Sequence, residues 1–208
     1  MKKILIVVGS TRDNRKSIHV ANWVLNQSKA YKGDLSFEIA DLKEIDLEYY
    51  NEPGSPRKGK SYQFDKTRLW SSIVDCSDGI IFVTPEYNGS YTGALKDAVD
   101  YLYHEWVGKA VGIVGYGSGG GKRAVKNLQL LLNSFKVIYT NEVVGINDIW
   151  DALDENKNIK NQFVDGEIQI LFHELEKIIE KKQNWSVTLQ FCFLILFNID
   201  VPLLELYI

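Results

Sequence analysis

The sequence has few of the residues that form disulfides or bind metal ions. Its 208 residues include two cysteines, Cys76 and Cys192, which lie far apart and form no C-x-x-C pair. The three histidines, His19, His104 and His173, are isolated from one another and from both cysteines. We therefore expect a reducing, cytoplasmic location, no disulfide framework and no metal site.

An excess of one sign of charge is also missing. The chain has 24 Lys and Arg against 27 Asp and Glu, a net charge of -3. Nonspecific binding of nucleic acid needs a basic face, so the composition argues against a nucleic-acid partner. A content of 45% hydrophobic residues is ordinary for a globular protein, and a chain of this length can bury a sizeable core without covalent cross-links.

Long apolar runs are scarce. The first, Ile4–Val8, is too short for a signal peptide and ends in a turn without a cleavage-like site, so we expect a buried strand. The tail over residues 184–208 is rich in Leu, Ile and Phe, but a spanning helix needs about 20 apolar residues. Its interruptions are Gln190, Asn198, Asp200, Pro202 and Glu205. We expect no stable membrane insertion. Packing on the domain, a subunit contact and a frameshifted end all stay open for this tail.

Short apolar runs alternate with segments of helical period, which indicates β/α units. The predicted strands are Ile4–Val8, Leu35–Ala40, Gly79–Thr84, Ala110–Val114 and Val137–Thr140, with a resumption at Val143–Ile146 left open. The predicted helices are Lys16–Ala30, Tyr62–Asp75, Thr92–Tyr103, Lys122–Phe135 and Gly166–Lys182. Together they predict one α/β domain over residues 1–183, with a five-stranded parallel sheet between two helical layers.

Ligands of open parallel sheets bind beyond the carboxyl ends of the strands, so the loops there are candidate sites. The first loop leads from Gly9 into a helix. Its polar side chains are Ser10, Thr11, Arg12, Arg15 and Ser17. Hydroxyls, guanidinium groups and unpaired amides at a helix N-terminus suit a terminal phosphate monoester. A capped helix start with solvated arginines is the alternative. The P-loop pattern G-x-x-x-x-G-K-[ST] is absent, which excludes that class of nucleotide triphosphatase.

The second loop begins where Pro85 ends a buried strand and runs to the next helix at Gly93. It contains Pro85, Glu86, Tyr87, Asn88, Gly89 and Ser90. An aromatic side chain and free backbone amides at this place suit a planar ligand with a polar edge. An ordinary turn with locally packed tyrosines is the alternative interpretation. Thr92 is a candidate N-cap for the helix that follows.

The third loop, Gly115–Gly121, has glycine at five of seven positions, which suggests close approach of a ligand to the backbone. A merely flexible loop is the alternative. The pattern G-x-G-x-x-G occurs here, with Glu142 at a suitable distance, but too little chain follows to build a dinucleotide-binding domain. A hydrolase elbow, G-x-S-x-G, fails because Tyr116 takes the place of its first glycine.

These three loops resemble those of the NAD(P)H-dependent FMN reductase family, which includes quinone, azo-dye and chromate reductases. The similarity spans about residues 3 to 182. It is carried by three motifs: Gly9-Ser10-Thr11-Arg12 with Ser17; Pro85-Glu86-Tyr87-Asn88-Gly89-Ser90 with Gly93-Ala94-Leu95-Lys96-Asp97-Ala98; and Tyr116-Gly117-Ser118-Gly119-Gly120. The Pro-Glu-Tyr-Asn motif is the most specific of them.

The resemblance implies a flavodoxin-like sheet of order 2-1-3-4-5, a tightly but non-covalently bound FMN, and NADPH or NADH as electron donor. It implies that the FMN phosphate is held by Ser10, Arg12 and Ser17, and that the isoalloxazine ring is lined by Pro85, Glu86, Tyr87 and Asn88, with Gly117 and Ser118 at its other edge. We also place Thr11, Arg15, Gly89 and Tyr116 in the cofactor site. Family members are usually dimers or tetramers. Thr92, where relatives often carry proline, and the tail after Gln183 depart from the family pattern.

The resulting hypothesis is a ping-pong oxidoreductase in which the flavin carries the chemistry and no side chain is catalytic. Hydride passes to flavin N5, and the electrons go on to a quinone, azo compound, free flavin or metal oxyanion. A non-enzymatic flavodoxin-type electron carrier is the first alternative, and a binding protein that has lost its cofactor is the second. Arginines in the phosphate loop and only mild acidity favour the reductase over the carrier.

Overall fold

The computed structural model describes the backbone of residues 1–196 and the side chains of residues 1–184. Of the predicted tail over residues 184–208, residues 197–208 lie outside the described residues, and its three interpretations stay open. Among residues 1–196, none of the helices combines the length and the apolar character needed to cross a bilayer.

Seven strands of the described chain form one sheet. They are β1 (Lys2–Val8), β2 (Leu35–Asp41), β3 (Gly79–Pro85), β4 (Ala110–Tyr116), β5 (Ile138–Tyr139), β6 (Val144–Ile146) and β7 (Val164–Asp165). Their order is β2-β1-β3-β4-β6-β7, and β5 also pairs with β4. All pairs are parallel except β6 with β7.

The α/β class and the order of the first four strands are confirmed, but the predicted count of five parallel strands is wrong. The predicted fifth strand is divided, because β5 pairs with the start of β4 and β6 with its end. The seventh strand adds an antiparallel edge. With only two residues and no apolar run, β7 gives no periodic signal.

Seven α-helices of the described chain connect these strands. They are α1 (Ser17–Ser28), α2 (Leu42–Ile45), α3 (Asp65–Asp75), α4 (Gly93–Asp100), α5 (Lys122–Leu132), α6 (Ile149–Ala152) and α7 (Ile168–Leu196). The five predicted helices correspond to α1, α3, α4, α5 and α7. The last continues past its predicted end at Lys182, since no Gly or Pro interrupts residues 183–196. The short helices α2 and α6 have a single turn each, too little for a periodic pattern.

The sheet separates two cores, as the alternating side chains of β1 show. Ile4, Ile6 and Val8 pack with residues of α1 and α7 on one face. Leu5 and Val7 pack with residues of α3, α4 and α5 on the other. Successive side chains of a strand point to opposite faces, so a strand covered by helices on both sides must be apolar throughout. The predicted three-layer arrangement is confirmed.

The segment between α4 and β4 holds a buried carboxylate. The Glu105 side chain has no exposed surface. It accepts hydrogen bonds from the Tyr62 hydroxyl at 2.8 Å and from the Ser71 hydroxyl at 2.5 Å. The backbone N–H of Tyr103 donates to its second oxygen at 3.3 Å. Glu105 thereby joins helix α3 and the loop before it to the segment that follows α4.

Replacing Glu105 with alanine removes the common acceptor of these donors. We expect Glu105→Ala to lower the free energy of unfolding by about 2–4 kcal/mol, because two buried hydroxyls lose their partner. Urea titration measures this loss. Glu155→Ala, at an exposed position, is the control and should change stability by less than about 0.5 kcal/mol. Equal effects of the two substitutions would contradict the prediction.

Candidate functional site

The first and second loops leave neighbouring strand ends at the point where the strand order reverses. β1 pairs with β3 up to Val8 opposite Val83. The Gly9 N–H donates to the carbonyl of Val83 at 2.9 Å. In an open α/β sheet such a switch point forms the ligand crevice. The topology therefore brings the predicted phosphate loop beside the predicted ring loop.

Thr92 fastens these two loops to each other. Its hydroxyl donates a hydrogen bond to the Gly9 carbonyl and accepts one from the Leu95 N–H at 3.0 Å. The predicted N-cap is confirmed, since this second bond satisfies a free amide of the first turn of α4. A proline at this position would provide neither bond. Thr92, which departs from the family pattern, therefore links the first loop to the second through its hydrogen bond to Gly9.

Side chains of the two loops also meet directly. The hydroxyls of Ser10 and Tyr87 lie 2.9 Å apart, within hydrogen-bond distance. The guanidinium carbon of Arg12 lies 5.6 Å from the centre of the Tyr87 ring, a cation–π contact. Arg12 remains exposed, so its donors are accessible to a ligand. These three predicted site residues are adjacent in the fold.

The start of α1 combines an uncapped N-terminus with a buried hydroxyl. Lys16 occupies the N-cap position, and no side chain caps the helix. Ser17 is completely buried, and its hydroxyl lies near the Tyr116 phenol but makes no hydrogen bond of normal length with a described residue. A buried hydroxyl beside uncapped helix amides fits an anion such as a phosphate monoester.

The two arginines of the first loop differ in their surroundings. The Arg15 guanidinium forms an ion pair with Asp41 at the end of β2, and both side chains are nearly buried. Arg15 thus ties the loop to the sheet and presents less of its guanidinium to a ligand than Arg12 does. Thr11 lies in the wall of a cleft of about 870 Å³ that also borders Ala94.

The second loop makes its turn at Asn88 and Gly89. Their φ angles are 51° and 81°, and the backbones of Tyr87 and Ser90 exchange hydrogen bonds of 2.8 and 3.0 Å. Two consecutive residues with positive φ are typical of a type I′ turn, for which Asn-Gly is the preferred pair. This tight turn fixes the position from which Tyr87 reaches Ser10.

Glu86 faces α5 instead of the crevice. Its carboxylate accepts hydrogen bonds from the Arg123 backbone N–H at 3.0 Å and from the guanidinium at 2.8 Å. Its own N–H donates to the Tyr116 carbonyl at 3.1 Å. Burial opposes ionisation, but the Arg123 hydrogen bonds and charge outweigh it and hold the pKa of Glu86 below its ordinary value of 4.5. Glu86 therefore joins the second loop to the third.

The glycines of the third loop serve two different purposes. A Cβ on Gly115 would lie 2.6 Å from the Gly120 carbonyl oxygen, and one on Gly121 would lie 2.6 Å from the Tyr116 nitrogen. The loop's own packing therefore requires these two glycines. At Gly117 the nearest atom is 3.6 Å away, and at Gly119 nothing lies within 4 Å. Among the glycines of this loop, only Gly119 is exposed and leaves open space where a ligand can approach.

Tyr116 and Ser118 stand differently in this loop. The Tyr116 side chain is buried in the core beside Ser17, and burial raises the pKa of its phenol. Ser118 is exposed, and its carbonyl accepts the Asp148 N–H at 3.3 Å. The carbonyl of Gly117 accepts the Ile149 N–H at 3.2 Å, so α6 buttresses this edge of the crevice.

Sequence reasoning missed three supports of the site. Arg123 binds Glu86, Asn127 donates from its side-chain amide to the Gly89 carbonyl at 2.9 Å, and α6 backs the third loop. A basic residue in the first turn of a helix is unfavourable for the helix dipole, and that was the available signal for Arg123. Across residues 1–184, no group of three or more His, Cys, Asp or Glu side chains is arranged to hold a metal ion.

Known proteins resemble this chain in both sequence and structure. A family model described as NADPH-dependent FMN reductase matches residues 2–151. An NAD(P)H-dependent FMN reductase of Schizosaccharomyces pombe is 39% identical over 136 residues, 65% of this chain and 68% of that protein. One of Saccharomyces cerevisiae is 38% identical over 144 residues, 65% of this chain and 75% of that protein.

A solved structure supports the fold. The flavoenzyme NAD(P)H:(acceptor) oxidoreductase FerB of Paracoccus denitrificans superposes with a TM-score of 0.64 at 21% identity. The similarity covers 86% of this chain and 96% of that one. The similarity therefore covers more of the chain than the 2–151 match of the family model.

The link between Glu86 and Arg123 gives a pH-dependent contribution to stability. We expect Glu86→Gln to lower the free energy of unfolding by about 1–3 kcal/mol at pH 7. Because the folded pKa is lowered, the wild-type stabilisation is complete above pH 4.5 and is lost as the pH falls through the folded value. The difference between variant and wild type should therefore shrink near pH 3.

Urea titrations at pH 7 and pH 3 measure both values. Glu44→Gln, at an exposed position of α2, is the matched control and should match wild type within about 0.5 kcal/mol at both. A Glu86→Gln deficit of the same size at both pH values would show that the carboxylate charge is not what stabilises the loop.

Proposed function

The chain belongs to the NADPH-dependent FMN reductase family, and from this premise we propose that it binds FMN in the crevice between its three loops and reduces a small-molecule acceptor with electrons from NADPH or NADH. The observation that carries the proposal is the convergence at the β1–β3 switch point: an uncapped helix start with the buried Ser17 hydroxyl, after a loop whose Arg12 lies over the Tyr87 ring. A phosphate and a planar ring are the groups that such an arrangement suits.

The phosphate is proposed to lie at the start of α1. The Ser10 and Ser17 hydroxyls, the Arg12 guanidinium and the loop amides would donate to its oxygens. Thr11 lies at the outer wall of the same loop, next to the neighbouring cleft. Arg15 acts indirectly, because its ion pair with Asp41 holds the loop against β2.

The ring is proposed to lie against the second and third loops. The segment from Pro85 to Gly89 forms one wall, with Tyr87 positioned by the type I′ turn. Gly117 and the exposed Ser118 form the other edge, and Tyr116 supports it from the core. Glu86 contributes its backbone to the ring and its carboxylate to α5.

The protein's own contribution is then position and electrostatics, because bound FMN supplies the hydride chemistry. Fixed backbone donors at the ring edge stabilise the negative charge that reduction creates, as preorganised dipoles do in other active sites. We propose a ping-pong cycle in which the oxidised dinucleotide leaves before a quinone, azo compound, free flavin or metal oxyanion enters. A cytoplasmic homodimer or homotetramer is the proposed form.

The absorption spectrum of the purified protein, before and after anaerobic addition of NADPH, tests the proposal. We expect a flavin spectrum that bleaches within seconds. Bound flavin that NADPH and NADH both leave oxidised would overturn the reductase and support a flavodoxin-type electron carrier. A colourless protein that does not take up added FMN would overturn the flavoprotein assignment altogether.

Arg12 is the residue whose loss should be most visible in cofactor binding. We expect Arg12→Ala to raise the dissociation constant of FMN about 10- to 100-fold, since a charge-assisted hydrogen bond contributes roughly 1.5–3 kcal/mol. Fluorescence titration of flavin-free protein measures it. Arg57→Ala is a matched control, because Arg57 also lies over a tyrosine ring, that of Tyr103, at 5.5 Å. Equal affinities of the two variants would contradict the role of Arg12.

A further inference from the structure

Three cations project from the first turns of α5, next to the third loop. Lys122, Arg123 and Lys126 are exposed, and the first turn of α5 contains no acidic residue. At 100° per residue, the side chain of Lys126 lies between those of Lys122 and Arg123 on the helix surface. We call these three residues the α5 basic strip.

The strip is unfavourable for the helix that carries it. Like charges three and four residues apart repel, and cations near a helix N-terminus oppose the helix dipole, each by a few tenths of a kcal/mol or more. Lys122 reaches Asp165 at 3.3 Å, but this pair is mostly exposed and therefore weak. Among residues 1–184, whose side chains are described, Lys126 forms no ion pair. Only Arg123 is well paired, with Glu86.

The strip also borders the proposed flavin crevice. Arg123 joins the second loop through Glu86, and a Cβ on Gly89 would lie 3.4 Å from the Arg123 guanidinium. Asn127, on the same side of α5, binds the Gly89 carbonyl. Arg123 therefore lies at the rim of the turn that carries Tyr87, and Lys122 and Lys126 are exposed on the same first turns of α5. The chain as a whole is acidic, with a net charge of -3.

We propose that the α5 basic strip binds the phosphate groups of the dinucleotide electron donor, an inference that rests on the proposed function. The donor must approach the crevice, and it carries a diphosphate and, in NADPH, a further 2′-phosphate. The FMN phosphate is already assigned to Ser10, Arg12 and Ser17, so the strip is a second anion site for the second anionic molecule. Exposed lysines suit a substrate that must also leave again in each cycle.

A double variant tests the proposal on the flavin-loaded protein. Lys122→Gln/Lys126→Gln removes two charges and leaves the Glu86–Arg123 link in place. We expect the NADPH concentration for half-maximal anaerobic flavin reduction to rise roughly tenfold. The calorimetric dissociation constant of NADP⁺ should rise by a similar factor, and added salt should weaken its binding to wild type more than to the variant.

Lys177→Gln/Lys181→Gln is the matched control. These two exposed lysines are also four residues apart, on α7, which packs against the opposite face of the sheet. The control should bind NADP⁺ like wild type. The strip variant should melt at the same temperature as wild type or above it, because the removed charges oppose the helix.

Comparison with NADH identifies which phosphate is bound. A loss confined to NADPH supports the 2′-phosphate as the ligand, and an equal loss for NADH supports the diphosphate. Unchanged NADP⁺ binding, or a defect seen only when the reduced protein meets its acceptor, would overturn the proposal. If wild-type protein binds FMN and is reduced but the strip variant is unaltered, only this inference fails. If wild type is not reduced at all, the proposed function fails.

Discussion

The parallel pairing of β1 with β3 is the constraint on which the site depends. It brings the ends of two apolar strands side by side, so the loops that follow must share one crevice. The β1 strand can occupy the middle of the sheet only because both of its faces are apolar. The same hydrophobic burial that stabilises the domain therefore determines where polar side chains meet.

Within the crevice, each loop is attached to its neighbours by a specific contact. Thr92 joins the first loop to the second, and Glu86 joins the second to the third. Ser17 and Tyr116 approach each other between the first and the third. None of these attachments involves a residue that must change its chemical state during a redox cycle. The arrangement is thus suited to holding a cofactor rigidly while small molecules come and go.

Much of this could be predicted from sequence, and the failures have physical causes. Continuous apolarity identified β1 and β3, and Thr92 before a helical segment identified the cap, because these are local signals. Glycine in the third loop predicted close approach, but at Gly115 and Gly121 the approaching atoms belong to the loop itself. The pairing of Arg15 with Asp41 was not visible, since it joins residues from different β/α units. The edge strand β7 and the helix α6 are too short to have a period.

The open space at Gly119 has a consequence for changing the enzyme's range of acceptors. A Cβ there would meet no described atom within 4 Å, whereas one at Gly115 or Gly121 would collide with backbone. Mutational libraries aimed at bulkier or more polar substrates are therefore best placed at Gly119. Substitution of Gly115 or Gly121 would force the loop's own backbone to shift, so exchangeable and fixed positions lie within a few residues of each other.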